Sequence, residues 1–225
     1  MWLLDLVFPQ CCVGCGASGS LCCAACRGAI PRLGPPWCER CGAPTAWPVA
    51  RCRECAGRRI AFTDARAAIA YDGTTRALVR AWKERGLRRL GDLATELVVE
   101  RLERPGVDVV TWVPAVHDRF LERGHSTAEQ LARGLAGRWS LDPELLLGRT
   151  RFVGAQRGRD RRARRSNVRG AFRASGRVPP RVCLVDDVYT TGATVSAAAT
   201  ALRRAGAREV HVITLARTMR GLDSG

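Results

Sequence analysis

Apolar positions along this chain fall into two regimes. Up to about residue 58 they are scattered among Gly, Pro and Cys, with neither strand nor helix period. Beyond it they alternate between strand-like and helix-like spacing. Arg59 to Tyr71 is a mostly apolar run that predicts a β-strand or hairpin, and Thr74 to Arg85 places Leu78, Val79 and Trp82 on one helical face with Gly86 as the stop. A second helix, about Leu90 to Arg104, is predicted to bury Leu93, Leu97 and Leu102. Val107 to Val113 predicts a buried strand, and a helix follows from about Thr127 to Arg138. Val182 to Val185 is a short apolar run of the kind buried on both faces of a sheet. Asp186 and Asp187 are expected to end it. The Ala-rich stretch after Gly192 predicts a helix closed at Gly206, and Glu209 to Leu215 predicts a last strand. Strands alternating with helices favour an α/β domain with a parallel sheet and right-handed crossovers.

Cysteine explains the first regime. Ten of the eleven cysteines lie between Cys11 and Cys55, and eight form four CxxC pairs: Cys12–Cys15, Cys23–Cys26, Cys38–Cys41 and Cys52–Cys55. Between the pairs lie 7, 11 and 10 residues, too few to form a core unaided. Four pairs are what two tetrahedral four-cysteine zinc sites require. Sequential pairing joins 12, 15, 23 and 26 in one site and 38, 41, 52 and 55 in the other, with Cys11 and Cys22 placed to substitute in the first. Gly16 and Gly42 each follow a pair, as in a knuckle whose amides turn toward sulfur. No His or carboxylate completes an open site, so a structural or docking role is expected for two Zn2+ ions. This divides the chain into a double zinc ribbon over 1–58 and the α/β domain over 59–225.

Met1 to Gln10 lacks the basic start of a secretory leader, and no stretch approaches the ~20 apolar residues of a membrane span. A soluble, cytoplasmic chain with metal-bound thiolates is expected. The formal charge is +16; eight thiolates subtract eight and two zinc ions add four, which leaves +12. Such a surface favours polyanions. Arg149 to Arg173 concentrates ten arginines against a single acid, Asp160. The segment suits a grip on a nucleic-acid backbone, or a lid over a pyrophosphate. Lys83 is the only lysine among 37 basic side chains. It is either an indifferent residue on a solvated helix face or a position that needs a compact, mobile ammonium.

The chemistry concentrates between Arg181 and Val195. An apolar strand, two carboxylates, a hydroxyl-rich loop and a helix start together offer backbone N–H groups, hydroxyls and a helix N-terminus to a phosphate. Asp186 and Asp187 beside that loop suit sugar hydroxyls or a divalent cation, so the expected ligand is a phosphorylated sugar. In a regular strand two adjacent side chains point to opposite faces, so both carboxylates meet one ribose only if the chain leaves strand geometry there.

The same stretch resembles the phosphoribosyl-pyrophosphate (PRPP) signature of type I phosphoribosyltransferases. The order of motifs, four CxxC pairs, a Lys–Glu–Arg–Gly helix end, VP…RG…AEQLA, R…Q…R..NV.GAF and LVDDVYTTGAT, resembles the ComF family of competence-associated proteins. That family joins a double zinc ribbon to a type I phosphoribosyltransferase-like parallel-sheet domain. The resemblance implies that Asp186 and Asp187 face the ribose, and that Val188, Tyr189, Thr190, Thr191, Gly192, Ala193 and Thr194 form the phosphate-binding stretch. It further implies that Arg123 and Gly124 belong to a pyrophosphate loop, that Lys83 is the family's helix-end lysine, and that Gln156 and Asn167 match family polar positions. His125, Ser126 and Thr127 depart from the family's aromatic–Asn–Gln at that point. Mg2+ would accompany PRPP. His117 and His125 are candidate bases by location only. Two functions are therefore in view: a PRPP-binding phosphoribosyltransferase-family protein acting in DNA uptake (competence) or in nucleotide or DNA metabolism, or a non-catalytic zinc-ribbon nucleic-acid-binding adaptor in DNA uptake or processing, with single-stranded DNA and the DNA-uptake machinery as candidate partners.

Overall fold

A computed structural model describes residues 10–115, 124–150 and 170–219. Four parallel strands form one sheet in the order β1–β6–β5–β2. They are β1 (Asp64–Ala70), β2 (Val109–Trp112), β5 (Arg181–Tyr189) and β6 (Glu209–Arg217). The helices are α1 (Ala24–Gly28), α2 (Gly73–Glu84), α3 (Leu90–Val99), α4 (Thr127–Trp139) and α5 (Ala193–Arg204). A short antiparallel pair, β3 (Leu147–Arg149) with β4 (Phe172–Ala174), stands apart. The parallel α/β sheet with a small cysteine module is the architecture the sequence predicts. Among the described residues no helix is long and apolar enough to cross a membrane.

Alternation along β5 and β6 splits the core in two. Cys183, Val185, Ile213 and Leu215 pack with Trp82, Leu97 and Leu131 from α2, α3 and α4. Val182, Leu184, Val210 and Val212 pack with Val195, Ala198 and Leu202 of α5 and with Phe172 of β4. Cys38, Cys41 and Cys55 belong to this second cluster, so the second half of the cysteine module is part of the sheet's own core.

The module also covers the β1 edge. Leu33 N donates to Ala68 O at 2.8 Å, Ala70 N to Pro31 O at 2.9 Å and Ala65 N to Arg40 O at 3.1 Å. An edge strand left bare would template further pairing. The approach is so close at Gly42 (φ 68°) that a Cβ there would lie 2.2 Å from Ala65 O.

Several boundaries differ from expectation. The run from Arg59 becomes a strand only at Asp64. The helix begun at Leu90 ends at Val99, short of the expected Arg104, and Leu93 is only partly buried. The acidic pair does not end its strand. β5 continues through Asp186 and Asp187 to Tyr189 because β6 is equally long and pairs with it as far as Tyr189↔Arg217. Val188 and Tyr189 are thus strand residues, and the loop begins at Thr190.

Candidate functional site

The C-terminal end of β5 gathers side chains from three elements. Lys83, in the last turn of α2, donates from Nζ to Asp187 Oδ1 at 2.7 Å. Thr127, the first residue of α4, donates from Oγ1 to the other oxygen of that carboxylate. The N-terminus of α4 is fixed by Ser126, whose Oγ accepts from Glu129 N at 3.3 Å. Gln130 then locks α4 to α2 and its exit: Trp82 Nε1 donates to Gln130 Oε1 at 2.9 Å, and Gln130 Nε2 to Arg88 O at 2.6 Å. Gly124 O accepts from Arg88 at 2.9 Å, and His125 Nε2 lies 2.9 Å from Trp82 O. Arg123, His117, Gln156, Asn167 and most of the arginine-rich segment lie outside the described residues.

The two carboxylates have different surroundings. Asp187 is buried, 8% exposed, on the side of α2 and α4. Asp186 is the preceding strand residue. Among the described residues its only donor is Asp187 N, 2.9 Å from Oδ1. Burial, reinforced by the charge of Asp187, pushes the Asp186 carboxyl up to about 7, against the pull of Lys83 and Arg149. A partly desolvated carboxyl held in this way is suited to a divalent cation or to sugar hydroxyls, either of which favours its ionised form.

The turn that follows is shaped by two contacts from outside it. Gly192 (φ 70°) is the N-cap of α5, and its Cα lies against Tyr189, so that a Cβ would sit 2.2 Å from the phenol oxygen. Only glycine meets both demands. Within the turn, Thr191 Oγ1 accepts from Ala193 N at 3.3 Å. Arg58 donates to Thr191 O at 2.6 Å. From this turn a groove of about 1290 Å³ runs beside α5, lined by Thr191, Arg58, Arg59, Arg173 and Arg204 and by the Ala193, Ala197, Ala201 stripe of the helix.

The eight CxxC thiols form two sets, 12/15/23/26 and 38/41/52/55, and within each set the sulfurs lie within 4.8 Å of one another. Cys11 and Cys22 stand outside both. Burial opposes ionisation of Cys12, but the amides of Cys23, Cys15 and Gly14 donate to it and bring it down to about 6; Cys38 is brought down to about 7 against burial by the amides of Cys41, Cys52 and Arg40. Four thiols gathered within 4.8 Å, with amides aimed at sulfur, fit the four-ligand shell of Zn2+.

Sequence comparison agrees with both halves. Residues 3–56 match the double zinc ribbon domain family. Competence protein F of Haemophilus influenzae is 29% identical over 208 residues, 87% of this chain and 90% of that protein. DNA utilization protein YhgH of Salmonella typhimurium is 30% identical over 212 residues, 88% of this chain and 90% of that protein. The chain belongs to the ComF family. In this ComF-family chain the double zinc ribbon precedes the parallel-sheet domain. Among solved structures, the allosteric regulatory enzyme of purine biosynthesis aligns with 55% of this ComF-family chain and 24% of its own (31% identity, TM-score 0.39). Adenine phosphoribosyltransferase from Thermoanaerobacter pseudethanolicus aligns with 68% of this chain and 90% of its own (11% identity, TM-score 0.39).

Sequence reasoning singled out Asp186, Asp187, Lys83 and the Thr190–Thr194 turn, and these lie together at one sheet edge. It missed the contacts of Thr127 with Asp187, of Arg58 with Thr191 and of Arg217 with Tyr189. Thr127 carried a signal, since it opens α4 directly after the Arg–Gly loop. The two arginines carried none, because 37 basic residues hide any single one.

Proposed function

We propose that this ComF-family protein binds PRPP, or a closely related phosphorylated sugar, with Mg2+ at the C-terminal end of β5, and serves DNA uptake or nucleotide metabolism through that site. The observation that carries the reading is the arrangement of Asp186 and Asp187 beside the Gly192 turn. A desolvated carboxyl, a glycine-capped helix start and the Thr191 hydroxyl lie at the C-terminal end of a parallel strand, where open α/β sheets take their ligands. The Thr190–Thr194 turn would hold the 5′-phosphate through its amides and hydroxyls. Asp186 would take the ribose hydroxyls or the cation. Asp187 already accepts from Lys83 and Thr127, so in the absence of ligand it orients the ends of α2 and α4. On binding, Lys83 would move from carboxylate to phosphate, a task for which a mobile ammonium is better suited than a planar guanidinium. Mg2+ would supply charge neutralisation of a pyrophosphate leaving group; Arg123 and Gly124 would flank it. Any transfer step would draw on positioning and electrostatics, with the sugar's developing positive charge met by the Asp186 carboxylate.

The second reading is an adaptor that binds single-stranded DNA. It is favoured by one observation, the arginine-lined groove beside α5, whose Glu54 is already paired with Arg217 at 2.6 Å. Calorimetric titration with PRPP, with and without Mg2+, beside a single-stranded oligonucleotide separates the two. Asp186→Asn with Asp187→Asn should abolish the PRPP signal, since charge-assisted hydrogen bonds contribute about 1.5–3 kcal/mol each. Unchanged PRPP affinity in that variant would refute the ribose assignment. DNA binding that persists, and weakens steeply with salt, would mark the groove as a separate polyanion site.

A further inference from the structure

Arg217 is the last residue of β6, 1% exposed, and the register partner of Tyr189. Its guanidinium donates to Cys41 O at 2.7 Å and to Glu54 Oε2 at 2.6 Å, and lies 4.6 Å from the centroid of the Tyr189 ring. Cys41 is a thiol of the second four-cysteine set, and Glu54 sits between Cys52 and Cys55 of the same set. Tyr189 is the final strand residue before the turn, and its phenol presses against Gly192. A second strut comes from Arg58, three residues beyond Cys55, which donates to Thr191 O at 2.6 Å. Both flanks of the turn therefore rest on one metal set. The first set makes no such contact among the described residues.

Resting on the reading that the turn binds phosphate, we propose that Arg217 and Arg58 are positioning residues that tie the second four-cysteine site to the Thr190–Ala193 turn, so that zinc in that site and a phosphate on the turn stabilise one another. Two physical features support this. A buried guanidinium between a zinc knuckle and an aromatic ring has one geometry that satisfies both partners, and cannot shift at one end without strain at the other. Turn and knuckle are also in one packed cluster, since Cys38, Cys41, Cys55, Phe62, Tyr189 and Val195 share a core. Coupling of this kind is reciprocal: if zinc sharpens the turn for its ligand, the ligand must hold the zinc.

Zinc release to a chromophoric chelator from the full-length holo-protein tests the coupling, with Mg2+ alone and with Mg2+ plus PRPP. Cys15→Ser, which removes an exposed ligand of the first set, assigns the phase that belongs to the second. PRPP should slow second-site release about fivefold or more and leave first-site release unchanged. Arg217→Met and Arg58→Ala should each reduce this protection while retaining two zinc ions, an effect that loss of fold would not produce. If Arg217→Met fails to retain zinc, Arg58→Ala decides, since its contact lies nearer the surface. PRPP binding without any effect on zinc release overturns the coupling and leaves the turn assignment standing. Equal slowing of both sites, or full protection in Arg58→Ala, also overturns it. Absence of PRPP binding in the calorimeter overturns the turn assignment and the coupling together.

Discussion

Lys83 Nζ lies 2.7 Å from Asp187 Oδ1, across 104 positions of sequence, and joins the end of α2 to the end of the central strand β5. The pair is partly enclosed: the Asp187 side chain keeps 11% of its exposure and that of Lys83 keeps 28%. Removing one member of a fully buried pair costs about 3–5 kcal/mol, and an exposed pair contributes below about 1 kcal/mol. Lys83→Met should therefore destabilise the protein by about 2 kcal/mol, between those limits. Urea unfolding at neutral pH measures it. Lys83→Arg should recover little, because a rigid fork cannot take the place of an ammonium that shares its carboxylate with Thr127.

The Asp186 carboxyl, pushed up to about 7 by burial and by Asp187, gives the site a pH dependence of known sign. Its unfolded value is about 3.9. Between these two values the folded chain binds more proton than the unfolded one, so the contribution is fully present below about pH 4 and is lost as pH rises through about 7. Comparing wild type with Asp186→Asn isolates it: the excess stability of the wild type at pH 5.5 over pH 8 should vanish in the variant. Mg2+ favours the ionised carboxylate, so Mg2+ affinity should rise over the same interval, with proton release seen in weakly buffered solution. A flat difference between the two proteins would remove Asp186 from the titration.

The two cysteine sets should respond unequally to loss of a ligand. Cys15 is exposed, whereas Cys38 and Cys55 are fully buried in the cluster that holds Val182 and Leu184. Elemental analysis should return two zinc ions per chain. Cys15→Ser should lose one with local loosening, as followed by hydrogen exchange over residues 10–30. Cys55→Ser should lose the other and lower protection in β5 and α5 as well, since binding energy of a structural zinc is folding energy for whatever packs on it. The cysteine pattern alone suggests a module whose unfolding spares the sheet. The shared core says otherwise for the second site.

What the sequence made legible follows from local physics. Hydrophobic period placed α2, α4, α5 and the sheet strands, because each is an amphipathic or wholly buried segment whose pattern is written over contiguous residues. Spacing of the CxxC pairs identified all eight thiols, because the two sulfurs of one pair reach the same metal, and the simplest, sequential grouping is the one observed. The tight turn after Tyr189 and the helix start at Ala193 were legible for the same reason, written in Thr190–Thr194 themselves. The length of β5 was not: whether a strand stops at Asp186 or runs to Tyr189 depends on β6, a partner that no local pattern names. Arg217 was the least legible of all, since its partners Cys41, Glu54 and Tyr189 lie 28 to 176 positions away in a chain crowded with arginine.

Gly192 offers the sharpest single-residue test of the turn. Its φ of 70° is a region that costs an L side chain about 1–2 kcal/mol, and its missing Cβ would lie 2.2 Å from the phenol oxygen of Tyr189 and 2.5 Å from the adjoining ring carbon. Ring carbons cannot yield at a fully packed site, so Gly192→Ala must push the turn outward from Tyr189. The amide of Ala193 and the hydroxyl of Thr191, now 3.3 Å apart, would move with it. Misplacement of binding groups by about 1 Å can cost about 100-fold. PRPP affinity in Gly192→Ala should accordingly fall by at least about tenfold. Gly206→Ala is the control: Gly206 also has positive φ, at 118°, but closes the far end of α5, where a Cβ would meet Val178 O at a tolerable 3.4 Å. Both variants should lose stability in thermal unfolding, and only the first should lose the ligand. Equal affinity in the two would mean that the Gly192 turn is not where the phosphate sits.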